Sequence, residues 1–411
     1  MNKAYKYRIY PTKEQQVLLG KTFGCTRFIW NKMLGDKIKY YEEFKQTLKN
    51  TPAQYKKEFS FLKEVDSLAL ANAQLQLGVA YSNFFRDPKI GFPKFKSKRV
   101  SKNRYTTNNQ KGTIRIIDSS YVKIPILGSL RIKLHRQIPD TYQIKSATIS
   151  LESTGKYYIA ILTEYAHEME QVVPANIVGL DFSMKELYVD SEENEGDYPR
   201  FYRNAQEKLA KHQRILAKRT KGSGRYLKQK QRVAKQHAHV ANQRKDYLHK
   251  QSTVITKQYD AVAIESLNMK SMSQTLCFGK SVADNGWGMF TNMLDYKLKE
   301  QGKPLIKIDK WFPSTKLCSH CGCKKVSIEL KERVYICEHC GNIMDRDLNA
   351  ATNIKNVGRV MLGLEVEDPS TQELKSKNKN RRIDGDSARM LERKRSSNAK
   401  LPLQAVRLSG E

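Results

Sequence analysis

The sequence predicts a multidomain chain, part β and part mixed α/β: an antiparallel β-barrel broken by a helical insertion, then an α/β layer carrying a zinc-binding insertion. Three observations predict it. From Thr113 to Thr163 short alternating runs follow one another (TIRIID, YVKIPI, SLRIKL, IKSATISL, KYYIAIL), separated by Gly, Pro, Ser and Asp, the pattern of a small antiparallel barrel. Two apolar runs, NIVGLD to Asp181 and DAVAIE to Glu265, each deliver an acid at their end, as strands of a buried layer can. Two Cys-x-x-Cys pairs, Cys318/Cys321 and Cys337/Cys340, lie fifteen residues apart, which is zinc-ribbon spacing.

The totals set the class of partner. A chain of 411 residues has room for two or three domains. Its 74 Lys and Arg against 42 Asp and Glu give a net charge of +32, a surface that repels itself unless a polyanion neutralises it. No apolar run approaches the ~18 residues of a membrane span, and the start, MNKAYKYRIY, is aromatic and basic rather than signal-like. Four of seven cysteines fall in the two pairs, leaving Cys25, Cys277 and Cys323. That is metal usage in a reducing compartment, not a disulfide framework. The expected location is the cytoplasm of a prokaryote, at the nucleoid when bound to DNA.

In chain order, Tyr5, Tyr7 and Ile9 alternate with Lys6, Arg8 and Tyr10 and read as a strand that Pro11 stops. It should join the barrel, since an isolated strand leaves its ladder unpaired. Thr12 and Gln15 make a capping box for a helix through Leu19, continued from Phe23 to Tyr40, and 53–86 is helical again. In GFPKFKSKR (Gly91–Arg99), Phe92 and Phe95 interleave with Lys94, Lys96 and Lys98. Aromatics stack bases and lysines meet phosphates; equally, this is a solvated basic loop pinned by two phenylalanines. Residues 202–257 form a helical hairpin around Gly222-Ser223-Gly224 with a heptad seam. Between 201 and 250 it carries 15 basic against 2 acidic residues, Arg214, Lys218, Arg219, Arg244 and Lys245 among them, and so calls for phosphates. GKS at Gly279–Ser281 is no P-loop, because Gln274 stands where the first glycine belongs and no strand precedes it. Gly286-Trp287-Gly288 opens a helix through Glu300, and LIKID (Leu305–Asp309) is a further strand. Beyond Gly358 the chain turns basic and polar, a composition too poor in core residues to fold.

An acid at the end of a buried strand needs a reason, since an unpaired buried carboxylate is costly. Asp181, Glu265 and Asp347, the last opening a helical run past the second cysteine pair, supply one if they converge on divalent cations. Two Mg²⁺ ions ~4 Å apart are the arrangement for cutting phosphodiesters. The alternative zinc chemistry of a nucleobase deaminase needs H-x-E and P-C-x-x-C, and neither is present.

At KYRIYPT, GFPKFKSK, GLDFSMKELYVD, NQRKDYLHK, IESLNM, GWGMF, PSTKLCSHCG and DRDLNAATNI the chain resembles the transposon-encoded TnpB nucleases, relatives of the type V CRISPR effectors. The resemblance covers roughly residues 1–358. It implies a wedge-like β-barrel (1–10 and 104–172), a helical recognition insertion (11–103) and an RNase H-like RuvC core (173–310 and 344–358). It further implies a zinc ribbon (311–343) and a basic, disordered tail (359–411). The implied activity is RNA-guided, Mg²⁺-dependent DNA cleavage, with a guide RNA from the transposon end, double-stranded target DNA and a short flanking motif, the protein acting as a monomer with its RNA. By position, Asp181, Glu265 and Asp347 are the RuvC acids, Asp347 rather than Asp345 because relatives carry D-x-N-A-A. Cys318, Cys321, Cys337 and Cys340 hold one structural zinc, with Cys323 a spare thiol. Asn72 and Gln76 are candidates for reading the flanking motif. A compact CRISPR-like effector, or an RNA-guided repressor that binds without cutting, are the alternatives.

Overall fold

In the computed structural model, residues 1–166, 170–275, 279–329 and 331–365 are described. Met1–Gln171 with Pro199–Lys250 forms one compact unit, and Val172–Tyr198 with the chain from Gln251 onward forms a second. Cys277 and residues 366–411 of the tail expected over 359–411 lie outside the described residues, whereas 359–361 are helical and correct the expected start of disorder. Among the described residues no helix is long and apolar enough to cross a membrane.

The first unit is built on strand β1 (Asn2–Tyr10), helices α1 (Lys13–Phe44), α2 (Pro52–Glu58) and α3 (Ser67–Arg86), and strands β2 (Asn103–Asn108), β3 (Arg115–Ile116), β4 (Tyr121–Ile124), β5 (Gly128–Lys133), β6 (Gln143–Leu151) and β7 (Tyr157–Glu164). β1 finds its ladder partners in β7 and β5, both antiparallel. The sheet order is β2-β6-β7-β1-β5-β4-β3. The expected closed barrel is therefore corrected to an open seven-stranded sheet. No ladder among the described residues joins β2 to β3, and β3, two residues long, offers too little edge to close on. Alternation places Tyr5, Tyr7, Ile9, Val122, Leu130, Ile149 and Ile159 in the core, where Leu19 and Phe23 of α1 cover them. The Thr12–Gln15 capping box starts α1. The helical stretch expected over 53–86 breaks between Glu58 and Ser67, where Asp66 caps α3 by accepting from the Leu68 amide. α4 (Phe201–Ala217) and α5 (Gly224–Gln258) form the hairpin. Phe201 against Tyr247 and His212 against Gln229 set its antiparallel pairing.

The second unit holds β8 (Ile177–Ser183), β9 (Leu187–Asp190), β10 (Ala261–Glu265), α6 (Met269–Thr275), α7 (Gly279–Asn285), α8 (Trp287–Glu300), β11 (Leu305–Ile308), β12 (Val334–Ile336), β13 (Ile343–Asp345) and α9 (Arg346–Met361). Its main sheet has the order β11-β10-β8-β9, with β8, β10 and β11 parallel and β9 returning antiparallel. Gly286 caps α8 at φ +77°, a left-handed turn that favours glycine. α9 lies directly on the sheet because two glycines leave room. A Cβ on Gly179 would sit 2.1 Å from the Ala351 carbonyl oxygen and 2.5 Å from the Lys355 nitrogen, and one on Gly358 would meet the Ala263 Cβ at 2.7 Å.

Candidate metal and nucleic-acid sites

That close approach decides where the acids go. Asp181 lies two residues beyond Gly179 on β8, and Asp347 lies one helical turn before Ala351 on α9. Two strand residues and one turn each span ~6 Å, so the first turn of α9 arrives at the end of β8. Glu265 ends β10, the neighbouring parallel strand. Asp181 feels both partners: burial pushes its carboxyl well above the usual carboxylate range, and the charges of Glu265 and Asp347 add to the push. Burial also raises Glu265, and the Ser314 hydroxyl, which donates to its Oε1, opposes that rise. Asp347 is met by Arg346 Nη2 at 3.3 Å and Arg333 Nη1 at 3.5 Å. A divalent cation would relieve the burial and repulsion felt at Asp181, although the oxygens of the three acids do not all lie within 4.8 Å of one another.

Asp345 plays a different part. Its Oδ1 accepts from the Asp347 and Leu348 amides, 2.8 and 3.0 Å away, and so caps α9. Of the two aspartates, the one whose charge reaches Asp181 is Asp347.

The cysteines meet as the spacing requires. Cys318, Cys321, Cys337 and Cys340 bring their sulfurs within 4.8 Å of one another, with Cys318–Cys340 at 3.7 Å and Cys321–Cys337 at 3.5 Å. Four thiolates at ~2.3 Å from a tetrahedral zinc stand ~3.8 Å apart, so the set fits that ion. Cys321 also lies within 4.8 Å of Cys323 and His339. β12 and β13 form the hairpin beside the cluster. α9 grips its first turn: Asn349 Nδ2 donates to the Leu317 carbonyl at 2.6 Å, its Oδ1 accepts from the Ser319 amide at 2.9 Å, and Asn353 donates to the Ser314 and Leu317 carbonyls at 2.8 Å. Thus one helix links the cluster, Ser314 and Asp347. Ser314 was not singled out by sequence; its only signal is its place in PST just before the first cysteine. A cleft of about 460 Å³ opens beside Glu265, lined also by Asn268, Trp287, Thr291 and Lys307.

In the first unit the candidate contacts fare unevenly. The 91–99 loop is tied down by α1: Trp30 Nε1 donates to the Lys94 carbonyl at 3.0 Å, and Asn31 bonds both the nitrogen and the carbonyl of Lys96. Phe92 meets Tyr81 and Phe84 edge-on. Lys96 is half-buried, its Nζ 3.4 Å from the centre of the Trp30 ring, and burial lowers its pKa to about 8. Lys94, Phe95 and Lys98 are exposed. The Asn72 amide donates inward, to Leu68 O at 2.9 Å and Asn108 Oδ1 at 3.4 Å. Gln76 lines a cleft of about 220 Å³ with Arg27, Lys96, Lys102 and Arg104; Arg27 and Arg104 carried no pattern that singles them out in sequence. On the hairpin, Arg214, Lys218, Arg219 and Lys245 are exposed and Arg244 is half-buried.

Family models match three stretches of the chain. A family described as "Probable transposase" matches residues 160–276, and a "Cas12f1-like, TNB domain" matches 287–354, the stretch from α8 through the cysteines to α9. A "Helix-turn-helix domain" matches 1–46, where the structure has β1 and one uninterrupted 32-residue helix. A Streptomyces pristinaespiralis protein named "Putative RNA-guided DNA endonuclease" is 31% identical over 369 residues, 87% of this chain and 90% of the relative. "Putative RNA-guided DNA endonuclease InsQ" of Escherichia coli K12 is 28% identical over 381 residues, 87% of this chain and 93% of the relative. A Cas12f1 chain, solved by cryo-EM in a complex with sgRNA and target DNA, shares the multidomain mixed α/β fold. It aligns at a TM-score of 0.58 with 14% identity, covering 87% of this chain and 99% of that one.

Proposed function

The chain belongs to the TnpB family, and from that premise we propose that it is an RNA-guided, metal-dependent DNA endonuclease of a transposon, whose guide comes from the transposon end. The observation that supports the reading is that Asp181 on β8 feels the charges of two acids from separate elements, Glu265 on β10 and Asp347 on α9. In this reading the second unit is an RNase H-like RuvC domain with a zinc-ribbon insertion. Asp181, Glu265 and Asp347 would hold two Mg²⁺, and Cys318, Cys321, Cys337 and Cys340 one structural zinc. Bound magnesium supplies an activated water and neutralises charge on the leaving oxygen of a phosphodiester.

The chain's own residues prepare that chemistry. Ser314 orients the Glu265 carboxylate, Arg346 and Arg333 hold the Asp347 carboxylate, and Asp345 fixes the helix start from which Asp347 projects. Gripping by Asn349 and Asn353 makes the cysteine cluster a brace for that start. The open sheet takes the place of the wedge domain, with α1 to α3 as the recognition part. The exposed cations of the hairpin suit a nucleic-acid backbone held without regard to sequence, which leaves base pairing to choose the target.

Guide exchange tests the reading. Protein loaded with RNA and Mg²⁺ should cut a plasmid at the guide-matched site beside its flanking motif. A changed guide segment should move the cut, and EDTA should stop it. A cut that stays in place, or that RNA-free protein makes equally well, overturns RNA guidance. Target binding without cutting would instead mark an RNA-guided repressor.

A further inference from the structure

Trp311 is out of place for a tryptophan. The chain has three; Trp30 and Trp287 are 7% and 2% exposed, whereas Trp311 is 79% exposed. Large aromatics bury most of their surface when nothing else claims them. Its neighbour Phe312 packs against the core of the second unit, so the segment has an inward aromatic and turns the tryptophan outward. The backbone there is held. The Trp311 amide donates to Asp309 Oδ1 at 2.8 Å, the Phe312 amide to the Asp309 carbonyl at 3.1 Å, and Asn353 clamps the Ser314 carbonyl.

Its position is set by the acids. Ile308, three residues before it, is the register partner of Glu265, and Ser314, three residues after it, donates to the Glu265 carboxylate. Three residues of chain reach at most ~11 Å, so Trp311 is tethered to the Glu265 end of the site from both sides. Lys310 Nζ stands 4.5 Å from the centre of its indole ring. On the cleft beside Glu265, Lys307 is exposed. An exposed aromatic face with Lys310 beside it, a short length of chain from Glu265 and Lys307, is matched by a base on a phosphate chain: the ring stacks the base and the lysines meet the phosphates.

We propose that Trp311 is a positioning residue, a stacking station for a base of the single DNA strand entering the acid cluster, with Lys310 and Lys307 on the strand's phosphates. The inference rests on the nuclease reading for the identity of the strand. Stacking of this kind is indifferent to sequence, since every base has a π-face. It would hold the strand close to the scissile bond after base pairing elsewhere has chosen the target.

The test has two arms. In EDTA, where cutting is blocked, the RNA-loaded protein receives a guide-matched duplex or a single-stranded oligodeoxynucleotide. Tryptophan emission should be quenched by either DNA, and the quench should be clearly smaller in Trp311→Phe, the remainder coming from Trp287 on the cleft beside Glu265. With Mg²⁺, Trp311→Ala should raise the DNA concentration needed for half-maximal cutting roughly 5- to 140-fold, the range of one lost stack. Trp311→Tyr should restore most of the loss, and thermal unfolding and zinc content should match wild type in all three variants. Equal quenching in wild type and Trp311→Phe, or a Trp311→Ala protein that cuts like wild type, overturns the stacking role. A wild type that never cuts overturns the nuclease reading instead, and the emission arm still decides whether DNA stacks on Trp311.

Discussion

Replacing Gly179 by alanine should pull the helix that carries Asp347 away from the strand that carries Asp181. The new Cβ would sit 2.1 Å from the Ala351 carbonyl oxygen and 2.5 Å from the Lys355 nitrogen. Both obstacles are backbone, so no side chain can rotate to relieve them. The helix has to retreat by about 1.3 Å, the shortfall from the 3.4 Å at which such contacts become ordinary. Overpacking of this kind destabilises by ~1–3 kcal/mol, and the upper end is expected because the contact cannot collapse. The effect on cutting should be larger, since a misplacement of ~1 Å at a catalytic group costs about 10²-fold. The assay pairs guided cleavage with thermal unfolding, using Gly20→Ala as control. Gly20 lies on the exposed face of α1 with nothing within 4 Å of its added Cβ, so alanine there should be neutral or stabilising by up to ~1 kcal/mol. A Gly179→Ala protein that cuts at the wild-type rate would refute the argument that this close approach sets the acid geometry.

Three further expectations follow from the site and its surroundings. Asp181→Ala, Glu265→Ala and Asp347→Ala should each abolish cutting while guided DNA binding survives. Asp345→Ala should keep some activity and lose about 1 kcal/mol of helix-cap stability, and equal inactivity of the two aspartate variants would remove the distinction between cap and ligand. One zinc per chain is expected by metal analysis, lost in Cys318→Ser or Cys337→Ser together with cleavage and kept in Cys323→Ser; zinc loss in the last would give Cys323 a ligand role beside His339. Lys96 has its pKa lowered to about 8 by burial, so between that value and the ordinary lysine value the unfolded chain binds more protons, and stability should rise with pH over that window. Lys96→Met should flatten the rise in thermal midpoint, and a wild-type profile with no rise would mean that the 3.4 Å approach to Trp30 favours the ammonium more than burial opposes it.

What the sequence by itself determined is what short-range chain geometry dictates. Two Cys-x-x-Cys pairs can hardly do other than present thiolates in pairs, and the four sulfurs meet. Apolar runs ending in Asp181 and Glu265 became parallel neighbours, β8 and β10, because runs of that kind bury both faces. Thr12 and Gln15 cap α1, a decision made within one helical turn. Other outcomes depended on partners far along the chain. Whether seven strands close into a barrel rests on β2 finding β3, and β3 is too short to be found. Asn72 and Lys96 read as contacts for nucleic acid, and each also has a partner within the unit that the sequence does not reveal, Asn108 and Trp30, since an amide or an alkyl stem is claimed by whatever packs beside it. Asp345 and Asp347 look alike in sequence, and the start of α9 separates them: an oxygen of Asp345 is taken by helix amides, while it is the charge of Asp347 that reaches Asp181. Gly179 is one of 22 glycines until a helix lies across it; only the tertiary structure shows that the place of its missing Cβ is taken by the Ala351 and Lys355 backbone of the helix that carries Asp347.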